Sequence, residues 1–320
     1  MRTLNLEETI KHQSHFLTMA RAKGRSDNSL KCYRLDFEVF NKFLINQKEN
    51  KVDNFNTFVI KEFEHFLEKK YSNINSIRRK LQTLRLFFDY LVEKDIYHEN
   101  PIKKIASAPK SILPPVPTKY PDIFMIDNYL KATIENSSSK LEHLIALRNR
   151  TIFILIYECC LNVASISGVE SDDLFLGPNP RIMIRPKKRD PYTIPIPAQY
   201  NTFLTSYLDH LKAYQNEKFQ FKELLFYANS HTVLKGSLSP RGIENLCKNI
   251  SNHLSIKMTP KSLRQSGILK WILNDTPEAT LKEWLGVAPT YNFNIYKKYI
   301  SDQKEDESNF KDHLDYKHLI

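Results

Sequence analysis

Cysteine is scarce in this chain. Cys32, Cys159, Cys160 and Cys247 form no CxxC pair, and none has histidines at metal-finger intervals. Reduced, buried thiols are therefore expected, with no disulfide and no structural zinc. Glycine is also sparse, at 7 residues, which excludes a collagen-like chain, and 41% hydrophobic residues exclude a disordered one. Long apolar runs are missing too. No stretch approaches the ~20 apolar residues of a membrane span. The opening MRTLNLEETIKHQ is charged and lacks the apolar core of a signal peptide. A cytoplasmic protein with no membrane segment is expected.

What is present is length and positive charge. The 320 residues suffice for two ordinary domains with packed cores. Lys and Arg number 47 against 36 Asp and Glu, and the formal net charge of +11 favours an anionic partner such as nucleic acid. Charge alone leaves a merely soluble basic surface open.

Residues 1–106 read as a small helical bundle. A first helix runs from about Asn5 to Ala22 and ends near Gly24. Leu30, Tyr33, Phe37, Phe40 and Leu44 mark a second apolar stripe, and Val59, Phe63, Phe66 and Leu67 a third. In SIRRKLQTLRLFFDYLVEKD the buried face is predicted as Ile77, Leu81, Leu84, Phe88 and Leu91, and the helix must stop before Asn100-Pro101. On its other faces Arg78, Arg79, Lys80 and Arg85 make a phosphate-contacting stripe, with Gln82 able to reach a base edge. A plainly solvated helix face is the competing explanation.

Residues 107–121 hold Pro109, Pro114, Pro115, Pro117 and Pro121, a run that cannot be helical and reads as a semi-rigid linker outside both cores. Residues 122–300 form a second domain. It contains an apolar helix, ALRNRTIFILIYECCL, then two short strands, Arg181 to Arg185 and Tyr192 to Ile196. The turn between the strands carries Lys187, Lys188 and Arg189. Further on, Lys261 and Arg264 stand three apart, which on a helix puts both cations on one face. Leu285-Gly286-Val287 and then Tyr296 follow them in order. A cationic pair and a phenol on neighbouring helices suit chemistry on a phosphodiester.

This order resembles the tyrosine recombinases, the phage integrase family. That family has a Thr-Pro-His-x-Leu-Arg segment, then Leu-Gly-His, then the nucleophilic tyrosine. Here the segments read Thr259-Pro260-Lys261-Ser262-Leu263-Arg264, Leu285-Gly286-Val287 and Tyr296. Leu161-Asn162-Val163-Ala164-Ser165-Ile166-Ser167-Gly168-Val169 resembles the box that carries the family's first catalytic arginine, and it puts Asn162 at that position. The pattern from Tyr33-x-x-Asp36-Phe37 to Asn100-Pro101 resembles the family's core-binding domain.

The resemblance implies a mainly α fold with a small antiparallel β-sheet, built as a two-domain DNA clamp. Its parts are a helical core-binding domain (1–106), the linker (107–121), a catalytic-type domain (122–300) and a tail (301–320) that docks on a neighbouring protomer. It also implies double-stranded DNA as partner, and homo-oligomers or hetero-oligomers with related recombinases on that DNA. The setting is integration or recombination, often on a mobile element, in the cytoplasm at the nucleoid. Lys187 would donate the proton to the leaving 5′ oxygen, with Lys188 and Arg189 as phosphate contacts.

The chemistry needs no metal and no other cofactor. A tyrosine oxygen attacks phosphorus, two guanidinium groups clamp the non-bridging oxygens, and histidine or lysine moves protons. Lys187, Arg264 and Tyr296 match the family's set, Lys261 is altered in kind, and Asn162 and Val287 are losses. Two outcomes stay open. One is a DNA-binding partner of recombination with an impaired centre. The other is a divergent working recombinase in which Arg148, Arg150 or Lys188 replaces the missing cation. A helical adaptor for protein or RNA requires the motif order to be coincidence.

Overall fold

A computed structural model describes residues 4–46, 56–104, 114–186, 190–214, 222–229 and 231–305. The chain divides into two units, Met1–Leu113 and Pro114–Ile320. Both are mainly helical, and the second also carries small antiparallel sheets. No helix among the described residues is long and apolar enough to cross a membrane.

In the first unit Asn5 opens α1 (Leu6–Ala22) with a capping box: Glu8 N–H donates to Asn5 Oδ1 at 2.9 Å and Asn5 N–H to Glu8 Oε2 at 3.1 Å. Gly24, at φ 77°, lies just past its end. α2 (Asp27–Asn46), α3 (Thr57–Lys70) and α4 (Ile74–Glu93) follow, with Asn56 and Asn73 capping the last two. A 3-10 turn, Pro101–Lys104, is tied back to α4 by Asn100, whose amide donates to Arg85 O at 2.9 Å and Asp89 Oδ1 at 3.0 Å. The core is aromatic. Phe37 meets Phe87 with ring centroids 5.2 Å apart and Phe40 meets Phe63 at 5.0 Å, both edge-to-face.

α4 packs against α1, α2 and α3, so it buries a wider face than one apolar stripe predicts. Ile77, Leu84, Phe88 and Leu91 are buried as expected, and Lys80, Thr83, Phe87 and Tyr90 join them. Leu81, expected inside, is only half-buried.

The second unit is built round α6 (Lys140–Tyr157), whose Ile152, Ile154, Leu155 and Ile156 are all buried. It packs against α5 (Tyr120–Glu135), which precedes it. After it come α7 (Val163–Ile166) and the antiparallel sheet β1 (Leu174–Phe175), β2 (Arg181–Ile184) and β3 (Tyr192–Pro195), in that spatial order. β2 and β3 pair from Arg181↔Pro195 to Ile184↔Tyr192. The turn residues Lys187, Lys188 and Arg189 lie outside the described residues. α8 (Asn201–Tyr214), the hairpin β4 (Phe226–Ala228) and β5 (Val233–Ser237), and α9 (Pro240–His253) lead to α10 (Pro260–Leu273), α11 (Glu278–Leu285) and α12 (Asn294–Glu305). Sequence pattern does not anticipate β1 or the β4–β5 hairpin, because strands of two to five residues offer too little alternation. Residues 306–320 of the expected docking tail fall outside the described set.

The expected linker is described from residue 114 onward, and there it does not stand clear of the core. Thr118 is buried, its N–H donates to Ser262 O at 3.3 Å, and Ser266 Oγ donates to Thr118 O at 2.8 Å. Residues 114–118 are thus a strap bound along α10. Two hydroxyl-bearing residues on α10 supply partners for a backbone that prolines keep from pairing with itself.

Candidate active site

α10 begins with the capping box Thr259/Ser262, in which Ser262 N–H donates to Thr259 Oγ1 at 3.0 Å and Thr259 N–H to Ser262 Oγ at 2.8 Å, with Pro260 in the first turn. This fixes where the helix starts. Lys261 falls in its first turn, exposed, and Arg264 one turn later, partly buried. Arg264 Nε donates to Cys160 O at 2.6 Å, just past the end of α6, where Cys160 takes φ 50°. Its two terminal nitrogens have no hydrogen-bond partner among the described residues, which leaves a fork of donors aimed elsewhere.

α10 approaches α6 this closely because residue 267 is glycine. A Cβ there would lie 2.7 Å from Cys160 Sγ and 3.1 Å from the carbonyl carbon of Tyr157. Both cysteines at this junction, Cys159 and Cys160, have their thiol pKa raised by burial, so they are packing groups and not nucleophiles.

Tyr296, in the first turn of α12, is buried in an apolar cluster with Cys160, Ile268, Leu269, Leu281, Leu285 and Phe293. Burial, then nearby Tyr291, push its phenol up to about 12, against the pull of Arg264's charge and a hydrogen bond from Gln265. Arg264 and Tyr296 are therefore electrostatic neighbours. Val287 follows Gly286, which caps α11 at φ 64°, and packs on the same apolar cluster. Where the resemblance implies an imidazole, the tyrosine meets hydrocarbon.

Asn162, Lys261 and Arg264 line one pocket of about 600 Å³ together with Glu244 and Lys248 of α9. Tyr296 is not among its lining residues and sits in the neighbouring cluster with Cys160. Asn162 spends its side chain locally: Oδ1 accepts from Ser165 N–H at 2.9 Å and caps α7. Lys248 is the residue sequence inspection missed. Its signal is the i, i+4 spacing of Glu244 and Lys248, which places both on one face of α9.

Two of the substitutes proposed for the missing cation are committed elsewhere. Arg148 is buried and donates to Phe226 O at 2.8 Å, and burial lowers its pKa. Arg150 donates to Asp127 at 3.1 Å and lies over the Phe203 ring at 4.5 Å. Lys188, like Lys187 and Arg189, is outside the described residues. Among the described residues no group of three His, Cys, Asp or Glu side chains is placed to hold a metal ion.

On α4 the expected basic stripe splits in two. Lys80 is corrected from surface contact to core: it is buried, 3.1 Å from Asp36 and 4.6 Å from the Tyr71 ring centroid. Asp36, itself buried, also accepts from Arg79 at 2.6 Å and Thr83 at 2.8 Å, because a buried carboxylate needs every partner it can reach. Arg78, Gln82 and Arg85 point away from this cluster, at i, i+4 and i+7 on one helical face. Gln82 is exposed and the two arginines are half-buried.

Comparisons with known proteins agree with this architecture. Residues 11–107 match the phage integrase SAM-like domain. Tyrosine recombinase XerC of Staphylococcus aureus (strain MRSA252) is 27% identical over 211 residues, which is 64% of this chain and 65% of that relative. XerC of strain USA300 gives the same figures of 27% identity, 64% and 65%. The match thus spans just under two thirds of those relatives' length. Among solved structures, the XerH site-specific recombinase bound to difH substrate in a pre-cleavage complex aligns with TM-score 0.69 at 14% identity, covering 93% of this chain and 94% of that one. A lambda integrase dimer bound to a COC′ core site aligns with TM-score 0.61 at 12% identity, covering 86% and 93%. In its amino-terminal domain match, in its likeness to XerC and in its fold, the chain is similar to the tyrosine recombinases.

Proposed function

We propose that this chain binds duplex DNA and acts in site-specific recombination as a structural or regulatory partner whose own strand-cleaving centre is weak. The observation that carries this is Asn162. In the pocket shared with Lys261 and Arg264 it brings no charge, and its side-chain oxygen is engaged in capping α7. A phosphate there meets one guanidinium where the family supplies two, and losing one oxyanion donor typically costs ~10²–10³ in rate. Val287 adds hydrocarbon and no proton acceptor beside a phenol that stays protonated at neutral pH. Lys261 offers charge and donors but accepts no proton while charged.

Arg78, Gln82 and Arg85 on one unit, with Lys187, Lys188 and Arg189 on the other, are the DNA contacts in this proposal. Further copies of the chain, or active relatives, are its protein partners, and the cytoplasm at the nucleoid is its place. One observation favours the alternative, a divergent but active enzyme: Lys248 lines the same pocket as Asn162. A lysine there restores charge without the bidentate fork of an arginine.

The test uses a duplex site enriched from a random-sequence pool and nicked so that cleavage is trapped. The partner role predicts a band shift on duplex, with a denaturation-resistant adduct absent or very slow. A rapid, stoichiometric adduct that Tyr296→Phe abolishes would overturn impairment. Failure to prefer duplex at all would overturn the DNA-binding role and favour a protein or RNA adaptor.

A further inference from the structure

α6 ends in a turn that its own sequence does not favour. Leu161 N–H reaches back six residues to Leu155 O at 3.1 Å, and Cys160 takes φ 50° to allow it. Glycine is the usual residue at such a position, because a Cβ crowds the following carbonyl there. The carbonyl of this same Cys160 receives Arg264 Nε at 2.6 Å, so a movement of the turn moves the guanidinium with it.

The turn is held from outside by Glu158, two residues earlier and buried. Its Oε2 accepts from Lys270 Nζ at 2.7 Å and its Oε1 from the Tyr200 hydroxyl at 2.9 Å. Tyr200 closes the 3-10 turn Ala198–Tyr200 that leads into α8, and Lys270 lies in the last turn of α10. A buried carboxylate with both oxygens bonded, one of them to an ammonium, ties together the elements that supply its partners. Arg264, Gly267 and Lys270 recur every third residue along the side of α10 that meets the end of α6. The close approach at Gly267 therefore sits between two bonds, Arg264 to Cys160 and Lys270 to Glu158. One bond would let α10 slide or turn about it, and two fix its place.

Glu158 stands apart from the pocket around Arg264. With Tyr200 and Lys270 it lines a different cavity of about 370 Å³, which shares no lining residue with the one holding Asn162, Lys261 and Arg264. We propose that Glu158 and Lys270 are positioning residues for Arg264: their ion pair fixes the Cys160 turn against α10 and so directs the terminal nitrogens of Arg264 at the phosphate. This rests on the recombinase role proposed above, in which Arg264 clamps that phosphate. Neither residue touches a reacting atom in this scheme.

The test is made on the full-length chain without DNA, by ¹⁵N NMR of the arginine Nε–H groups, the Arg264 signal being identified by its loss in Arg264→Lys. Glu158→Gln keeps the shape of the side chain but leaves Lys270 without its carboxylate. Glu158→Gln with Lys270→Met removes both charges, and exchanging a buried pair for neutral groups is often neutral in stability. In both variants Arg264 Nε–H is expected to exchange with solvent at least ~10-fold faster than in the unsubstituted chain, as when one charge-assisted bond is lost. The double variant carries the test if the single one does not fold. Tyr200→Phe, which removes one hydroxyl only, carries it if neither folds, with a smaller change in the same direction. A pair that only stabilises the fold would lower Tm and leave the Arg264 signal as it is. Unchanged exchange in the folded variants would overturn the proposal. A band shift on duplex is read separately: its absence in the unsubstituted chain counts against the recombinase role, and the exchange of Arg264 Nε–H still decides the link to Glu158.

Discussion

Gly267→Ala tests the close approach on which the placement of Arg264 depends. In the interior of an ordinary helix this change stabilises by ~0.8–1 kcal/mol, because alanine loses less backbone freedom. In α10 the new Cβ would lie 2.7 Å from Cys160 Sγ, 3.1 Å from the Tyr157 carbonyl carbon and closer still to the Tyr157 carbonyl oxygen. The nearest atom belongs to the backbone at the end of α6, which cannot swing aside, so α10 has to retreat. Overpacking of this kind costs ~1–3 kcal/mol. Retreat also stretches the 2.6 Å bond from Arg264 Nε to Cys160 O. A charge-assisted bond is worth about 1.5–3 kcal/mol. Less the helix gain, the net loss is about 1.5–5 kcal/mol. For a domain the size of Pro114–Ile320, that lowers Tm by roughly 3–20 °C. Thermal unfolding followed by circular dichroism reads the sign directly. A variant as stable as the natural chain, or a few degrees more stable, would show that α6 and α10 do not meet as described.

Three further outcomes follow from other parts of the molecule. Asp36→Ala leaves Lys80 buried without its carboxylate and is expected to cost about 3–5 kcal/mol, read as a lower urea midpoint; an unchanged midpoint would remove the cluster from the stability of the first unit. Arg78→Ala with Arg85→Ala is expected to flatten the slope of log K against log salt for duplex binding by about 1.8, and an unaltered slope would mean that this face of α4 does not touch phosphate. The phenol of Tyr296 titrates near 10 when unfolded and about 12 when folded. Its proton is held more tightly in the folded state, so its contribution to stability is complete below the unfolded value and lost as pH rises through the folded one. Tyr296→Phe should therefore lessen the fall in stability over that alkaline range, and an identical fall would contradict the burial.

Much of this architecture is legible from local pattern. The helical stripes of the first unit, the β2–β3 hairpin and the start of α10 each rest on residues near one another in the chain, such as Thr259 and Ser262. What escapes is set by distant partners. Lys80 looks like a surface cation until Asp36, on another helix, is known to be buried beside it. Arg148 and Arg150 look available for a phosphate until Phe226 O and Asp127 are seen to hold them. Of the site, the identities of Arg264, Tyr296, Asn162 and Val287 come from motif order, whereas Lys248 emerges only when α9 is placed beside α10. Motif order also says nothing about Tyr296 being buried, since burial depends on Ile268, Leu281 and Phe293 closing round it.

The proposed impairment lies in what residues 162 and 287 fail to supply. Restoring both, Asn162→Arg with Val287→His, and timing adduct formation on a trapped duplex under single-turnover conditions tests it. A rise of at least ~10² over the natural chain is expected, abolished again by Tyr296→Phe. A natural chain already as fast as the restored one would contradict it.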